Sequence, residues 1–572
     1  MTRLRYHILA GTALALIIAA VPLGGLALDA SNKTAPAPTG PAAVEQVATE
    51  TSNAAAATEP AATVIEPAAA AAAVTEPAAT TELTVTAEQA APVDPMASLD
   101  PADRPVAEKI RDFFAGTSDR IFANKKERAA AEAFYQSRSY APLWLDQGNA
   151  NARATSAIAR LKNADADGLE VSDYKTPNFA GLGADALAEA DLKLTQTVLT
   201  YARHVQAGRF SYTRVSRNIE LPQAAPEPAD ILNTMAATQD ADKALDAFSP
   251  PQQEYQKLKA MLAELRGASG VKKGDSSRQI ETIIANMERW RWYQRDLGQA
   301  HVVVNQPDFT LRVMHDGRQV WTTRIVIGKP STPTPLLSET MKHITVNPTW
   351  NVPPSIVYGE YLPAQAQDPT VLSRMGLRVS YSGGGVHISQ PPGPGNALGR
   401  IRFNFPNRFL VYQHDTPDKY YFAHESRAYS HGCMRVQDPA KYAEVLLNIV
   451  RPQEHWTAER ITRMYGSSEH NLQLQPTPVW VHLTYQTAFV DSAGKLQMRR
   501  DIYNIDGRTL AAIKSGRGGL EAPPERKREL IASTQRRAAP PAPAVPAARS
   551  GSMFQSMFNP TPSYYGRAPI YR

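Results

Sequence analysis

The sequence predicts an α+β multidomain protein, with a mostly helical domain over residues 99–294 and a β-rich domain over 295–510. Two observations predict this class. Near residue 295 the spacing of apolar residues changes from three- and four-residue steps, typical of helices, to the alternation that is typical of strands. Residues 31–98 and 511–572, in contrast, are rich in alanine and proline and carry too little apolar surface to form a core.

Residues 1–30 predict export from the cytoplasm. Arg3 and Arg5 precede an apolar run from Ile8 to Leu28, which is the pattern of a secretory signal peptide. A run of this length can also stay uncleaved as an inner-membrane anchor, although cleavage is the favoured interpretation. We therefore expect the protein in the periplasm, where nucleic acid is not an expected partner.

The charges of the chain are concentrated towards its two ends. Residues 31–98 hold eight acidic residues and one lysine, whereas residues 515–572 hold nine basic residues and three glutamates. The formal net charge of +6 therefore says little about the folded domains. We expect residues 31–98 to form an extended disordered linker. The basic segment 511–572 is expected to be a disordered tail that is either simply solvated or in contact with an anionic polymer or membrane surface.

In the helical domain, apolar residues recur at helical spacing in three stretches. The first stretch ends at Gly208, a residue that commonly terminates helices. Its members are Leu192, Thr195, Leu199, Ala202 and Val205; those of the second are Tyr255, Leu258, Leu262 and Leu265; those of the third are Ile280, Ile283, Ile284 and Met287.

In the β-rich domain, alternation begins at Phe309 and runs into a tight turn at Asp316-Gly317, after which residues 320–327 form the returning strand. Further strands are predicted at 399–405, 409–414, 479–490 and 495–503. One helix interrupts them, because Asp438 is a good N-cap and Pro439 suits the first helical position.

Cys433 is the single cysteine of the sequence, so it has no intramolecular disulfide partner. A thiol near its ordinary pKa of about 8.5 needs a base or a positive neighbour to act as a nucleophile at neutral pH. His414 and His431 are the candidate partners. In extended chain, residues two apart share a face, so Tyr412 accompanies His414. By the same rule Cys433 shares a face with both His431 and Arg435, and the amides of Gly432 and Cys433 are candidate oxyanion donors.

Each of these residues also has a simpler interpretation. A lone cysteine is usually a small buried hydrophobe, and Arg435 could pair with Asp438. Metal binding is a further alternative, for which the ligand types are His387, His414, His424, His431 and Cys433. Their spacing matches no known zinc motif, so a metal site is not expected.

Residues 412–417 (YQHDTP) and 430–436 (SHGCMRV) together resemble the active-site signature of L,D-transpeptidases with a YkuD-type catalytic domain. The upstream segments 347–354 and 390–399 strengthen the resemblance, which covers roughly residues 295–505. The helical region, with Phe134-Tyr135 and Tyr140 to Trp144, is similar to the scaffold domain of the large YcbB-like subgroup.

The resemblance implies a role for each site residue. Cys433 would be the nucleophile, His414 the general base, and Tyr412 with the Gly432 and Cys433 amides the oxyanion stabilisers. His431 would support the site. Arg435 and Ser430 would bind substrate, and a backbone carbonyl that the sequence does not locate would orient His414. Asp415 is the next residue along a strand, so its side chain should face away from that imidazole.

The resemblance also implies a reaction and its partners. The expected donor is the tetrapeptide stem of peptidoglycan, the acceptor is the diaminopimelate amine of a neighbouring stem, and the product is a 3→3 cross-link. Carbapenems are the expected inhibitors. Water as acceptor would make an L,D-carboxypeptidase, and a protein amine would make a ligase that attaches an outer-membrane protein to the wall. A non-catalytic wall-binding protein is a distant alternative.

The chain departs from the family pattern in its basic, proline-rich extension after about Lys514 and in the length of one connection, and a separate stretch is a candidate lid. The short stretch between Arg266 and Gln299 leaves no room for the peptidoglycan-binding module that large members commonly carry. Residues 359–385, between the two groups of family motifs, are a candidate lid with a hinge at Gly383-Gly384-Gly385, although a plain connecting helix and hairpin explains them equally well.

Overall fold

The computed structural model describes residues 95–116, 120–267 and 273–515. The expected signal segment 1–30, most of the linker and the tail beyond Ser515 lie outside these residues. Within the described ranges, no helix is long and apolar enough to cross a lipid bilayer.

The first part of the described chain is helical and the second is rich in strands, as the sequence predicts. The helices are α1 (Arg104–Ala115), α2 (Lys125–Ser137), α3 (Ala152–Lys162), α4 (Ala184–Ala207), α5 (Pro228–Ala236), α6 (Ala241–Asp246), α7 (Gln253–Gly267), α8 (Lys273–Trp290), α9 (Pro354–Ile356), which continues through a π-helical turn (Val357–Tyr361) into α10 (Leu362–Gln367), then α11 (Val371–Arg374), α12 (Pro439–Val450), α13 (Ala458–Thr462) and α14 (Ile505–Ser515).

The strands are β1 (Leu145–Asp146), β2 (Asn149–Ala150), β3 (Ile219–Glu220), β4 (Ala300–Asn305), β5 (Thr310–His315), β6 (Arg318–Gly328), β7 (Leu336–Met341), β8 (His343–Val346), β9 (Trp350–Asn351), β10 (Arg378–Ser382), β11 (Gly385–Gln390), β12 (Ile401–Asn404), β13 (Gln413–His414), β14 (Ala428–Ser430), β15 (Met434–Val436), β16 (His470–Gln473), β17 (Val479–Thr484), β18 (Ala488–Val490) and β19 (Leu496–Met498).

Helix α4 is the centre of the helical domain. All five positions predicted for its inward face are buried: four are apolar, and the fifth is the polar Thr195. It ends before Gly208, whose φ of +88° is a conformation that favours glycine. A Cβ there would also lie 2.6 Å from a carboxylate oxygen of Glu288. The predicted end of this helix is therefore confirmed, and its physical reason is both backbone conformation and close packing.

One large sheet organises the β-rich domain. Its order in the described residues is β16-β8-β12-β13-β15-β6-β5-β4-β17-β7-β3, and β14 pairs beside β6. Asp316 and Gly317 have φ values of 50° and 72°, so the predicted turn joins β5 to β6 as a tight hairpin. Helix α12 covers the sheet with Tyr442 and Leu446, both fully buried.

The predicted strand at 409–414 is wrong for most of its length, because only Gln413 and His414 pair as a strand. The Asn407 side chain donates to the carbonyls of Phe405 and Val411, and Leu410 has a φ of +56°. These bonds hold the chain in a compact turn. The turn brings His414 into the sheet directly after an irregular segment.

The two hydrophobic cores do not divide at residue 294. The helical core runs from Val106 to Leu245, whereas the core of the sheet includes residues of α7 and α8 such as Leu258, Met287 and Trp290. Strand β3 also pairs with β7 at the edge of the large sheet. Part of the predicted helical domain is thus built into the β-rich domain.

Candidate active site

The sheet places His414 between two arginines. In β12, Arg402 lies directly opposite His414, and in β15 Arg435 lies beside it on the other side. Directly opposed residues project to the same face of a sheet. Strands β13 and β15 run parallel, with His414 beside Arg435. Tyr412 and Cys433, which come two residues earlier in each segment, therefore lie at the same end of this strand pair. The sequence segments around the predicted catalytic residues therefore meet.

His414 is buried, and its Nδ1 donates to the carbonyl of Asp415 over 2.5 Å. A carbonyl only accepts, so Nδ1 carries the proton and Nε2 of the neutral ring is the basic nitrogen. Burial lowers the pKa of His414 to about 3, with further lowering by Arg435 and Arg402; the carbonyls of Asp415 and Leu398 act in the opposite direction. The imidazole is neutral at physiological pH.

The side chain of Asp415 faces away from the imidazole, as alternation predicts. Its carboxylate accepts from the Arg400 amide at 2.8 Å and from Lys419 Nζ at 2.6 Å. Gly399 has a φ of +62°, and a Cβ at this position would lie 2.4 Å from the Asp415 carboxyl group. The carboxylate thus fixes the neighbouring loop, while the Asp415 carbonyl orients the histidine.

Cys433 lies in the turn between β14 and β15 and is partly buried. Its thiol is hydrogen-bonded to the Tyr412 hydroxyl, to which the Trp350 side chain also bonds. Burial raises the pKa of Cys433 to about 11, against the opposing effects of Tyr412, Arg435 and Arg402. At neutral pH the site therefore holds a protonated thiol and a neutral imidazole.

The turn before Cys433 depends on Gly432 and Ser430. Gly432 has a φ of +115°, a conformation that L side chains rarely adopt. The Ser430 hydroxyl is buried, donates to the Cys433 carbonyl at 2.5 Å and accepts from the Gly432 amide at 3.1 Å. Its single donor is therefore used inside the turn. Ser430 thus braces the loop before Cys433, and its expected substrate contact stays a prediction.

The hydrogen bond from the Gly432 amide to Ser430 affects which backbone amides could stabilise an oxyanion. The Gly432 amide donates to Ser430 and is engaged, whereas the Cys433 amide makes no hydrogen bond with any described residue. Thr334 supports the turn from behind, since its hydroxyl donates to the Gly432 carbonyl at 2.8 Å. Of the two predicted amide donors, only that of Cys433 is available in this structure.

His431 contacts the candidate lid. Its Nε2 lies 2.7 Å from a carboxylate oxygen of Glu360 and 3.3 Å from Lys329 Nζ. Residues 350–398 contain the helices α9 to α11, the β10–β11 hairpin and a small hydrophobic cluster of their own, against which Tyr412 packs. The segment therefore contacts the site at two points: Glu360 bonds to His431, and the hydrophobic cluster packs against Tyr412.

Arg435 is partly buried and already has polar partners. Its Nη1 lies 3.1 Å from Asp418 Oδ2 and 3.3 Å from Thr416 Oγ1, and its guanidinium lies 5.1 Å from the ring centre of Tyr421. The considered pairing with Asp438 does not occur, because that carboxylate lies near Thr323. A substrate carboxylate at Arg435 would have to compete with Asp418.

Comparison with protein families matches both domains. A scaffold domain matches residues 129–262, and an L,D-transpeptidase catalytic domain of the YkuD type matches residues 299–481. Residues 299–481 are therefore an L,D-transpeptidase catalytic domain of the YkuD type, which follows a scaffold domain. A Haemophilus influenzae protein named "Putative L,D-transpeptidase" is 25% identical over 395 residues, which are 65% of this chain and 77% of that protein.

Solved structures of L,D-transpeptidases are also similar to part of the chain. One is an L,D-transpeptidase from Mycobacterium smegmatis, 15% identical over 32% of this chain with a TM-score of 0.17. Another is L,D-transpeptidase 3 from Mycobacterium tuberculosis in complex with a faropenem-derived adduct, 14% identical over 32% of this chain, also with a TM-score of 0.17. The chain spans 59% and 60% of the length of these two structures.

Three residues of the transpeptidase site were not predicted from the sequence. Trp350 bonds to the Tyr412 hydroxyl, Thr334 braces Gly432, and Arg402 lies opposite His414. The alternation around Arg402 could have placed it on one face of a strand, but not beside that histidine. Among the described residues, no group of three or more histidine, cysteine or acidic side chains is arranged to hold a metal ion.

Proposed function

We propose that this chain is a periplasmic peptidoglycan transpeptidase that forms 3→3 cross-links through a thioester on Cys433. The donor is the tetrapeptide stem, and the acceptor is the side-chain amine of diaminopimelate in a neighbouring stem. The observation that carries the proposal is the neutral His414, held by the Asp415 carbonyl so that Nε2 is basic, on the same sheet face as the nucleophile segment. The family match to residues 299–481 supports it.

The first step forms the acyl-enzyme. The Cys433 sulfur attacks the carbonyl of the diaminopimelate residue that precedes the terminal D-alanine, while the thiol proton moves to Nε2 of His414. The Cys433 amide and the Tyr412 hydroxyl donate to the developing oxyanion. When the carbon–nitrogen bond breaks, the imidazolium returns its proton to the departing amine of D-alanine.

The second step transfers the acyl group. The acceptor amine attacks the thioester carbon, forming the new amide bond as the carbon–sulfur bond breaks. His414 removes the extra proton from the amine and returns it to the sulfur of Cys433, which restores the resting state. No metal or organic cofactor takes part in either step.

The test replaces the nucleophile. We expect Cys433→Ala to retain its circular dichroism spectrum and to form no cross-linked dimer when purified protein is incubated with tetrapeptide muropeptides. Mass spectrometry should detect a diaminopimelate-linked dimer only with the unchanged protein. Dimer formation by Cys433→Ala would disprove the thioester mechanism.

The same experiment separates the acceptors. Tripeptide without dimer would identify water as the acceptor, and a peptidoglycan-linked protein would identify a ligase. Carbapenems are proposed as inhibitors, because an opened β-lactam ring would leave a thioester on Cys433. If the unchanged protein gains no carbapenem mass and makes none of these products, the chain is a wall-binding protein without this chemistry.

A further inference from the structure

Arg402 differs from the other arginines that surround the nucleophile. It is half-buried in β12, and its Nε is buried without a hydrogen-bond partner, as is the Nε of Arg435. Its side chain makes no ion pair with any carboxylate in the part of the chain that the structure describes. A buried donor without a partner costs free energy, so this arrangement is more consistent with a binding role than with a contribution to stability.

The guanidinium of Arg402 lies next to Tyr412. It lies 5.6 Å from the ring centre of Tyr412, whose hydroxyl bonds to the Cys433 thiol. Its charge lowers the pKa of both His414 and Cys433. Because Tyr412 also contacts the thiol, we expect this guanidinium to meet the part of a bound substrate next to the bond that breaks.

We propose that Arg402 binds the terminal carboxylate of the D-alanine that leaves during acylation, and so selects donors that end at this residue. This inference rests on the proposed function. A planar guanidinium suits a carboxylate because it offers parallel N–H donors. Binding would supply the partner that the Arg402 Nε lacks inside the protein.

The chemistry of the donor favours this carboxylate over the others in the stem. The terminal carboxylate is separated from the reacting carbonyl carbon only by the amide nitrogen and one α-carbon. The free carboxylate of diaminopimelate lies at the far end of its side chain, and that of the glutamate residue lies beyond another peptide bond. Only the terminal group is close enough to the thiol to share the space next to Tyr412.

The comparison with Arg435 supports the assignment. Arg435 has a carboxylate neighbour in Asp418 at 3.1 Å, so an incoming carboxylate must displace it. Arg402 has no such competitor among the described residues. The two arginines flank His414 on opposite sides. Arg435 would therefore orient a different part of the stem.

The test compares two donors that differ in one group. One is the peptidoglycan tetrapeptide with its free terminal carboxylate, and the other is the same peptide with a terminal carboxamide. We expect the unchanged enzyme to prefer the carboxylate by about 10- to 100-fold in kcat/KM for acylation, the range that a charge-assisted hydrogen bond supplies. Arg402→Gln should reduce this ratio to about 1, mainly by slowing the carboxylate donor, and Arg402→Lys should retain part of it.

The control is Arg318→Gln, at an exposed position of β6, which should keep the ratio. An equal loss of rate with both donors in Arg402→Gln would show a general electrostatic or structural role and overturn the inference. A ratio near 1 in the unchanged enzyme would also overturn it, while leaving the proposed function intact. If the unchanged enzyme forms no adduct on Cys433 with either donor, the proposed function itself fails.

Discussion

At the scale of single residues, the resting site differs from a thiolate–imidazolium pair. Burial is the largest influence on both groups, and it disfavours the charged form of each, because charge is poorly solvated there. The thiol therefore keeps its proton and the imidazole stays neutral. In the proposed mechanism, proton transfer from Cys433 to His414 therefore accompanies the attack on substrate and does not precede it.

This protonation state predicts how the thiol reacts with iodoacetamide. Because the pKa of Cys433 is raised to about 11, the thiolate fraction should increase about tenfold for each pH unit between pH 7 and 10. The alkylation rate, measured by mass spectrometry, should rise accordingly without a plateau. The same protein in urea is the control, and its rate should level off above about pH 8.5. A plateau at pH 7 in the folded protein would contradict the neutral pair.

His414 gives a second residue-scale prediction. In the proposed mechanism its neutral form is the active one, and its pKa is lowered to about 3. Protonation therefore sets in only as the pH falls towards this value, and the acid limb of kcat/KM for acylation should lie below pH 5. An ordinary histidine would lose activity near pH 6.5. A half-maximal rate near pH 6.5, on a protein that circular dichroism shows to be folded, would refute the shift.

At the scale of elements, short glycine-containing motifs in the sequence predict the turns correctly, but they do not identify hinges. Asp316-Gly317 forms the predicted hairpin, because its sequence suits two residues with positive φ. Gly383 and Gly384 also have positive φ, 58° and 76°, and they form the turn of the β10–β11 hairpin rather than a lid hinge. The same glycine chemistry serves both purposes, so sequence alone does not separate them.

The contact between Glu360 and His431 predicts how fast backbone amides exchange in the segment around Glu360. The hydrogen bond to His431 lowers the pKa of Glu360, so the contact is present at neutral pH and is lost as the pH falls through that lowered value. Replacing Glu360 by glutamine should speed hydrogen exchange in residues 354–367 by about 2- to 5-fold at pH 7, since a partly exposed pair contributes little.

Gln367→Ala is the matched control for this experiment, because Gln367 is exposed in α10 of the same segment. It should leave the exchange rates unchanged. Equal exchange in Glu360→Gln and the unchanged protein would show that the small hydrophobic cluster around Val357 and Tyr361 holds the segment by itself.

At the scale of the whole molecule, the sequence predicted the order of helical and β-rich parts, and its motifs nominated the residues around Cys433. It did not predict that β13 lies parallel to β15, or that β12 brings Arg402 to His414. Such pairings depend on strand register across long loops, which no local pattern specifies. The boundary at 294 was misleading for the same reason, because helix α8 shares its apolar face with a sheet that follows it in sequence.

This shared core predicts that the transpeptidase domain does not fold from residue 295 onwards. A fragment 295–515 loses α7 and α8, whose buried Leu258, Met287 and Trp290 pack in the core of the sheet. It also loses β3, which covers the edge of β7. We expect this fragment to show no cooperative thermal transition, because each large core side chain removed costs about 2–5 kcal/mol, comparable with the whole stability of a domain.

Fragment 208–515 provides the comparison, since it keeps every buried residue of that core, from Phe210 to Ala512. It should unfold cooperatively by circular dichroism, as should a chain that lacks only residues 1–94. Cooperative unfolding of 295–515 would instead show that α7 and α8 merely rest on a finished sheet. The scaffold of this enzyme is therefore expected to complete the catalytic domain, and not only to carry it.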